Sequence, residues 1–372
     1  MAAAKPPDPP QRTDLRSVMW TDLRRSDLAG SVSRDVRDLY RFYLDGESRR
    51  RLEAMGRPRR TFWVLGWLFR SLLLKLTPAR RALLLGALIL AILGWTEFVL
   101  GGLTVRFDFR PWGFLLLLVV LMLELKDKLL AKDEIQVARQ VQRALLPREQ
   151  PVVDGWEVWG FSVPANDVGG DLVDYVDLGA GRLGAVLGDV SGKGLGAALL
   201  AAKLQATLRA LAPDSPSLDE LGERMNTILL SDGLANRYST MFYAELSPDS
   251  GHVRYLNAGH NPPIVVRADD RITLRPSGLP LGMLSGSSYL EGSLELEDGE
   301  LLAVYSDGIT EAENHAGEEF GTARLETLLR ERARDPLDVT GRAILEEVDR
   351  FTGGERPSDD RSLVLARRSV LS

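Results

Sequence analysis

Two different hydrophobic patterns divide this chain near residue 126. Before that point lie two long and nearly uninterrupted apolar runs, Ala82–Leu100 and Trp112–Leu123. After it, short apolar runs alternate with turns, and longer amphipathic segments lie between some of them. Long apolar runs are typical of membrane helices, whereas short runs bounded by turns are typical of strands. We therefore predict a membrane-associated N-terminal part followed by a globular C-terminal domain.

The apolar runs are predicted to form a two-helix membrane hairpin over residues 82–125. The first run is long enough to cross about 30 Å of hydrocarbon as a helix. The second is shorter and spans only if it extends to Leu125 and if aromatic residues mark the far interface. Cations flank both outer ends, which by the positive-inside rule places both termini in the cytoplasm. We expect a multi-pass protein of the cell inner membrane whose C-terminal domain is cytoplasmic. A soluble pair of hydrophobic helices is the alternative.

The segments around the hairpin are predicted to serve it. Residues 1–26 are expected to form a disordered tail, and residues 27–81 a helical juxtamembrane region. The basic and aromatic part of that region suits a lipid interface, although packing against protein is the alternative. Residues 126–149 are predicted to form a linker helix that Pro147 ends. This helix is interpreted either as a dimerising signalling linker, giving a homodimer, or as an ordinary helix lying on the next domain.

Residues 150–372 predict an α+β domain with antiparallel sheets. The strands cluster and are often joined by hairpin-like turns, which differs from the strict alternation of a doubly wound fold. Strands are predicted at Trp156–Val163, Leu172–Leu178, Leu183–Asp189, Thr240–Leu246, Val253–Asn257, Ile264–Arg267, Ile272–Arg275, Tyr289–Leu296, Leu301–Tyr305 and Ser362–Ala366. Helices are predicted at Leu195–Leu211, Leu218–Leu230 with Ser217 as N-cap, Thr322–Arg332 and Pro336–Phe351.

Composition and charge exclude several classes of function. The net charge of −6 gives no reason to expect a nucleic-acid partner. The absence of cysteine excludes disulfides, thiolate zinc sites and cysteine nucleophiles. With only three histidines in 372 residues, a histidine-rich metal site is not expected either. A metal ion would therefore need carboxylate ligands, which favours Mg²⁺ or Mn²⁺.

Acidic turns at strand ends are the candidate ligands. Each turn alone is a common structural feature, but four in one domain favour a converging carboxylate site. The acidic residues are Asp171 after two glycines, Asp189 within the glycine-rich turn Gly188–Gly194, Asp307 after an apolar run, and the adjacent pair Asp359 and Asp360.

The order of these motifs resembles the bacterial branch of the metal-dependent Ser/Thr protein phosphatases, the PPM or 2C-type superfamily, like the SpoIIE and RsbU phosphatases. The resemblance covers residues 135–368 and leaves residues 1–125 uncovered. The stretches that carry it are Ala138–Gln142 with Leu145–Pro147, Pro164–Ala165 with Val168–Asp171, Gly188–Gly194, Asn257–Pro263, Gly278–Gly282, Tyr305–Glu311 and Asp359–Ser362.

The resemblance implies an αββα sandwich of two antiparallel sheets flanked by helices, with a catalytic two-metal centre at one end. Two Mn²⁺ or Mg²⁺ ions about 4 Å apart would lower the pKa of a water and orient it toward phosphorus. The ligands implied by the resemblance are Asp189 bridging both ions, the Val190 carbonyl, Asp307 and Asp359 on one ion, and Asp171 directly or through water, with Asp360 replacing Asp359 if the register differs by one.

Two departures from the family pattern leave roles unassigned. Ser191 stands where some relatives have a histidine proposed as general acid, and Pro164–Gly170 lacks the arginine that grips phosphate in many of them. Lys193 is a candidate for phosphate contact, with a solvated lysine as the alternative. His260 is interpreted as stabilising the turn Asn257–Pro263 rather than as a chemical group.

The predicted function is that of a membrane-anchored protein phosphatase acting on phosphoserine or phosphothreonine. By resemblance its phosphoprotein substrate is an anti-sigma-factor antagonist of the STAS type. A catalytically silent phosphatase fold used for binding in membrane signalling is the alternative. A nucleotide-binding enzyme is disfavoured, because Gly192-Lys193-Gly194 lacks the glycine spacing and the Lys-Ser/Thr ending of a phosphate loop.

Overall fold

A computed structural model describes residues 57–100, 103–147, 149–231, 237–248, 250–267 and 274–369. The chain separates into two compact units that divide between Lys128 and Leu129. The predicted tail at residues 1–26 and the helical segment at residues 27–56 lie outside the described residues. So does the first half of the predicted strand Ile272–Arg275, and its described second half is not part of a strand.

The first unit differs from a two-helix hairpin because two antiparallel strands follow one helix and precede the next along the chain. It contains α1 (Arg57–Lys75), α2 (Pro78–Leu93), β1 (Trp95–Leu100), β2 (Leu103–Asp108) and the start of α3 (Arg110–Leu145). The predicted first span, Ala82–Leu100, is therefore wrong as a single helix. Gly94, at a φ of 56°, ends α2 in a conformation that favours glycine. The residues after it pair as antiparallel strands, and Glu97 forms a 2.7 Å ion pair with Arg106 across them.

The predicted second span and the predicted linker are parts of one continuous helix, α3, which runs from Arg110 to Leu145. Within the described ranges, one segment is long and apolar enough to cross a membrane, Leu195–Asp214. Of its positions, 44% are buried in the protein, and it belongs to the core of the second unit. Length and composition therefore do not by themselves identify a membrane span in the first unit.

The second unit contains two antiparallel sheets. One has the strand order β3-β11-β10-β8 and the other β4-β5-β6-β7-β9. The strands are β3 (Trp156–Val163), β4 (Leu172–Asp177), β5 (Leu183–Val190), β6 (Ser239–Leu246), β7 (His252–Ala258), β8 (Ile264–Val266), β9 (Gly292–Glu295), β10 (Leu301–Tyr305) and β11 (Arg361–Arg368). The helices are α4 (Leu195–Leu211), α5 (Leu218–Ser231), the single turn α6 (Asp307–Thr310), α7 (Thr322–Glu331) and α8 (Leu337–Phe351), with a short 3₁₀ turn at Ala212–Asp214.

Three apolar cores hold the layers of this unit together. The first joins α4 and α5 to the five-stranded sheet, the second lies between the two sheets, and the third joins α7 and α8 to the four-stranded sheet. The order is helices, sheet, sheet, helices, so the α+β class with antiparallel sheets is confirmed. Burial of these apolar faces supplies the main driving force for the fold.

Most predicted elements agree with the structure to within a few residues. The strand predicted at Tyr289–Leu296 is shorter, because Tyr289 is not part of the sheet but lies buried beside Gly222 of α5. A Cβ on Gly222 would lie 2.8 Å from the Tyr289 ring, so this helix position has no room for a side chain. The predicted N-cap is present, since the Ser217 hydroxyl accepts the Glu220 amide at 3.3 Å.

Candidate metal centre

Strand pairing brings Asp171 and Asp189 together. Strands β4 and β5 are antiparallel with Leu172 opposite Gly188, which places the residue before β4 beside the residue after Gly188. Gly170 lies so close that a Cβ there would be 3.0 Å from the Val190 carbonyl oxygen. Gly170 therefore permits the close approach of this loop to the end of β5, and Gly169 permits its close approach to the Asp360 carboxylate.

Asp307 and Asp359 approach each other by the same kind of pairing in the other sheet. Strands β10 and β11 are antiparallel, and the Ser306 amide donates to the Ser362 carbonyl at 3.0 Å just beyond the paired residues. A Cβ on Gly308 would lie 2.0 Å from the Asp360 carbonyl oxygen, so only glycine fits there. The acidic turns of both sheets therefore lie at one end of the sandwich.

Asp360 connects the two halves of this site through the backbone. One carboxylate oxygen accepts the Ala165 amide at 2.7 Å, and the other accepts the amides of Gly170 at 2.6 Å and Asp171 at 3.3 Å. The side chain is buried, and both of its oxygens are occupied by the loop that carries Asp171. Asp360 is thus placed to position that loop, whereas Asp359 lines the open cleft.

Lys193 is not simply a solvated lysine. Its ammonium group lies 2.8 Å from a carboxylate oxygen of Asp359 and donates to the Ser358 carbonyl at 2.7 Å. The hydrogen bond to Asp359 raises the pKa of Lys193 from its usual value. The glycine-rich turn after β5 is therefore linked by charge to the acidic turn before β11.

Burial and mutual repulsion raise the pKa values of three of these aspartates. Burial, followed by the negative charges of Asp307 and Asp359, raises the pKa of Asp189 to about 6. Burial and the charge of Asp189 raise the pKa of Asp171 well above its usual range. Burial and Asp359 likewise raise the pKa of Asp307. Carboxylates that repel each other in this way are stabilised by a cation between them.

The donor set fits a hard divalent cation, although it does not form a closed cage. Among the described residues, no three acidic or histidine side chains converge closely enough to make a ready-made ion site. A loose arrangement is expected of carboxylates that repel each other while Lys193 pairs with Asp359. Oδ2 of Asp171 is buried and has no hydrogen-bond partner in the described part of the chain. Such a buried orphan oxygen, in an all-oxygen donor set, suits Mg²⁺ or Mn²⁺.

A cleft of about 300 Å³ opens beside these residues. Asp307, Asp359, Lys193 and Arg356 are among the residues that line it. The sequence motifs did not single out Arg356 or Arg237, because neither is part of an acidic turn. Arg237 donates to the Ser191 carbonyl at 3.3 Å and lies against Gly192, which braces the turn after Asp189.

The structure supports the structural interpretation of His260. The side chain is buried, its Nδ1 lies 2.9 Å from the Thr240 hydroxyl, and its amide donates to the Asn257 side chain at 2.8 Å. Burial lowers its pKa to about 4, so the ring is neutral at pH 7. Ser191, at the position of the missing general acid, uses its hydroxyl to accept the Tyr238 amide at 2.9 Å.

The C-terminal part of α3 contacts the same site. The Gln142 side-chain amide donates to the Gly169 carbonyl at 2.7 Å and accepts the Gly169 amide at 3.1 Å. The end of the helix is fixed a second time, where Gln205 of α4 donates to the Leu145 carbonyl at 2.7 Å. The linker helix is therefore hydrogen-bonded to the residue two positions before Asp171.

Comparisons with known proteins agree on one family. Residues 179–369 match the family described as Stage II sporulation protein E (SpoIIE). The phosphoserine phosphatase RsbU of Bacillus subtilis (strain 168) is 29% identical over 188 residues, covering 50% of this chain and 56% of that protein. The chain spans about half the length of the curated relatives it matches.

Solved structures show the same fold. The RsbU and RsbW domains of a Mycobacterium tuberculosis protein superpose with a TM-score of 0.53 at 29% identity, over 60% of this chain and 62% of that one. The SiaA-PP2C domain of Pseudomonas aeruginosa gives a TM-score of 0.55 at 21% identity, over 66% of this chain and 99% of that domain. At that identity the second likeness concerns the fold alone.

Proposed function

Because the chain belongs to the SpoIIE family, in the SpoIIE/RsbU-like branch of the PPM phosphatases, we propose that it hydrolyses phosphoserine or phosphothreonine on a protein. The observation that carries this proposal is that strand pairing places four aspartates from four separate turns at one end of the sandwich, where Asp307 and Asp359 line an open cleft. The raised pKa values of Asp171, Asp189 and Asp307 fit a site that works with cations bound.

The residues that would hold two Mn²⁺ or Mg²⁺ ions are Asp189 as the bridging ligand, the Val190 carbonyl, Asp307, Asp359 and Asp171. When bound, such ions supply activation of a water molecule and neutralisation of phosphate charge. Asp360 keeps the Asp171 loop in place through the three backbone amides it accepts. Asp359 is paired with Lys193, and as a cation ligand it would free the lysine ammonium, which lines the cleft.

The charge of the cleft supports a requirement for bound cations. Six carboxylates and three cationic side chains from the described residues line it, so by itself it repels a phosphate dianion. We therefore expect residues 129–372 to release phosphate from a phosphoserine peptide with Mn²⁺, and not after chelation by EDTA. Equal rates with Mn²⁺ and with EDTA would contradict the proposal.

We further propose that the first unit anchors the protein to the inner membrane, with the phosphatase domain in the cytoplasm. Large apolar side chains on α2 and α3 are exposed to solvent, among them Ile92 at 85% and Phe114 at 68%. Exposed apolar surface of this kind is costly in water and favours a lipid environment. The full chain should sediment with membranes, and a chain lacking residues 1–125 should not. Recovery of both in the soluble fraction would exclude the anchor.

The proposed assembly is a homodimer through the linker helix. Leu130, Val137 and Val141 are all more than half exposed on α3, at the seven- and four-residue spacing of a coiled-coil seam. The double variant Leu130→Glu with Val137→Glu should sediment as a monomer.

The proposed substrate is a phosphorylated STAS-type anti-sigma-factor antagonist. Candidate phosphoproteins from the same cell can be screened with the Mn²⁺-loaded protein. A STAS protein that keeps its phosphate in this assay would be excluded as the substrate.

Removal of the Gln142 side chain should lower activity without unfolding the domain. The two hydrogen bonds to Gly169 are only partly buried, and their loss would loosen the loop before Asp171. We expect Gln142→Ala to reduce kcat/KM by about five- to tenfold. Gln140→Ala is the matched control, because Gln140 is exposed on the same helix. Equal activity of the two variants would show that α3 does not position the site.

A further inference from the structure

Three cationic side chains line the cleft, and their charges are engaged differently. Lys193 is paired with Asp359 at 2.8 Å. Arg361 is buried and paired with Asp349 at 2.5 Å. Arg356 also lines the cleft, and it forms no ion pair in the part of the chain that the structure describes. Of these three side chains, Arg356 is therefore the one whose positive charge has no ion-pair partner among the described residues.

The guanidinium of Arg356 is nevertheless held in a defined orientation. Its Nε donates to the Ala165 carbonyl at 3.2 Å, and its Nη2 lies 3.3 Å from the side-chain oxygen of Asn166. Its Nη1 makes no hydrogen bond to the described residues, so that edge of the planar group keeps its donors. A guanidinium fixed on one edge is ready to bind an oxyanion with the other.

The segment that holds Arg356 is itself fixed to the metal centre. The Ala165 amide donates to Asp360 at 2.7 Å, and the same carboxylate accepts the amides of Gly170 and Asp171. Pro164–Gly170 contains no arginine of its own. Arg356 instead brings a guanidinium to this segment from the loop between α8 and β11. The Arg356 guanidinium therefore has a fixed position relative to the acidic turns.

We propose that Arg356 binds the phosphoryl oxygens of the substrate. This assignment rests on the proposed phosphatase function and supplies the phosphate contact that the sequence motifs leave open. Two parallel N–H···O bonds from Nη1 and Nη2 match the geometry of a phosphate group. The bound phosphoryl group then lies between the guanidinium and the aspartates that would hold the cations.

The test compares Arg356→Gln and Arg356→Lys in the full chain. Glutamine keeps a donor for the Ala165 carbonyl but loses the charge, and lysine keeps the charge but loses the planar fork. We expect Arg356→Gln to raise KM for a phosphoserine peptide and the inhibition constant of orthophosphate by about tenfold or more. Arg356→Lys should recover part of that loss. The Mn²⁺ concentration for half-maximal binding and the Tm should stay unchanged.

The matched control is Arg342→Gln, because Arg342 is exposed on α8 and pairs only with Asp338 in the described structure. Unchanged KM and orthophosphate inhibition in Arg356→Gln would overturn the assignment. So would a fall in kcat and Tm with unchanged orthophosphate inhibition, since that result indicates a brace for the Ala165 loop. A wild-type chain without activity would contradict the proposed function instead. Calorimetric binding of orthophosphate to the Mn²⁺-loaded chain then still tests Arg356 by itself.

Discussion

Replacing Asp189 by alanine is expected to lower Mn²⁺-dependent phosphate release by about a thousandfold or more. Asp189 is the carboxylate that faces the charges of Asp307 and Asp359 from the other sheet. Its loss removes the group proposed to bridge both ions, and removal of one preorganised charge-stabilising group typically costs 10²- to 10³-fold in rate, about 3 to 4 kcal/mol. Initial rates on a phosphoserine peptide at saturating Mn²⁺ measure the effect.

Stability separates this effect from unfolding. Because burial and repulsion raise the pKa of Asp189, its charged form destabilises the metal-free fold at pH 7. The metal-free Asp189→Ala variant should therefore unfold at the same urea concentration as wild type, or at a higher one. Asp298→Ala is the matched control. Asp298 is an exposed aspartate before the start of β10, whereas the acidic turn with Asp307 follows the end of that strand. Full activity in Asp189→Ala would sink the assignment.

Replacing Asp360 by alanine is expected to lower the free energy of unfolding by about 2 to 4 kcal/mol. The side chain is buried, and its removal leaves the amides of Ala165, Gly170 and Asp171 without their acceptor. A buried donor without a partner costs about 1 to 3 kcal/mol, and water entering the space offsets part of the sum. Urea unfolding of residues 129–372 in the presence of EDTA measures the loss directly.

Asp359→Ala is the comparison that makes this prediction informative. Asp359 is half-exposed and pairs with Lys193 at the surface of the cleft, so its removal should change stability by less than about 1 kcal/mol. Activity should nevertheless fall sharply, because Asp359 is proposed as a metal ligand. Two adjacent aspartates would then have separate roles, one for the ion and one for the loop. A stability loss in Asp359→Ala that exceeds the loss in Asp360→Ala would reverse these roles.

Local patterns predicted most of the second unit. Strand β3, strand β10 and helix α4 begin and end where the apolar runs do, because each element buries a continuous face against a neighbouring layer. The acidic turns were also recognisable, since glycines that permit close backbone approach accompany Asp171, Asp189 and Asp307. In such places the local sequence and the tertiary structure require the same residues.

Contacts between residues distant in the chain were not predictable in this way. Asp360 and Asp359 look alike in sequence, and only the amides of Ala165 and Gly170, some 190 positions away, distinguish them. Arg356 became a candidate because it reaches the same distant loop. In the first unit, the residues after Gly94 were predicted as part of a membrane span. In the structure they form strand β1, which pairs with the alternating residues Leu103–Asp108 of β2 and carries the Glu97–Arg106 ion pair.

Counting the divalent ions that bind to the protein tests the central claim most directly. Calorimetric titration of Mn²⁺ into metal-free residues 129–372 should give two ions per chain for wild type. The same titration of Asp189→Ala should give a loss of binding at both positions, because one carboxylate is proposed to serve both ions. A wild-type domain that binds no Mn²⁺, or a variant that still binds two ions, would contradict the account.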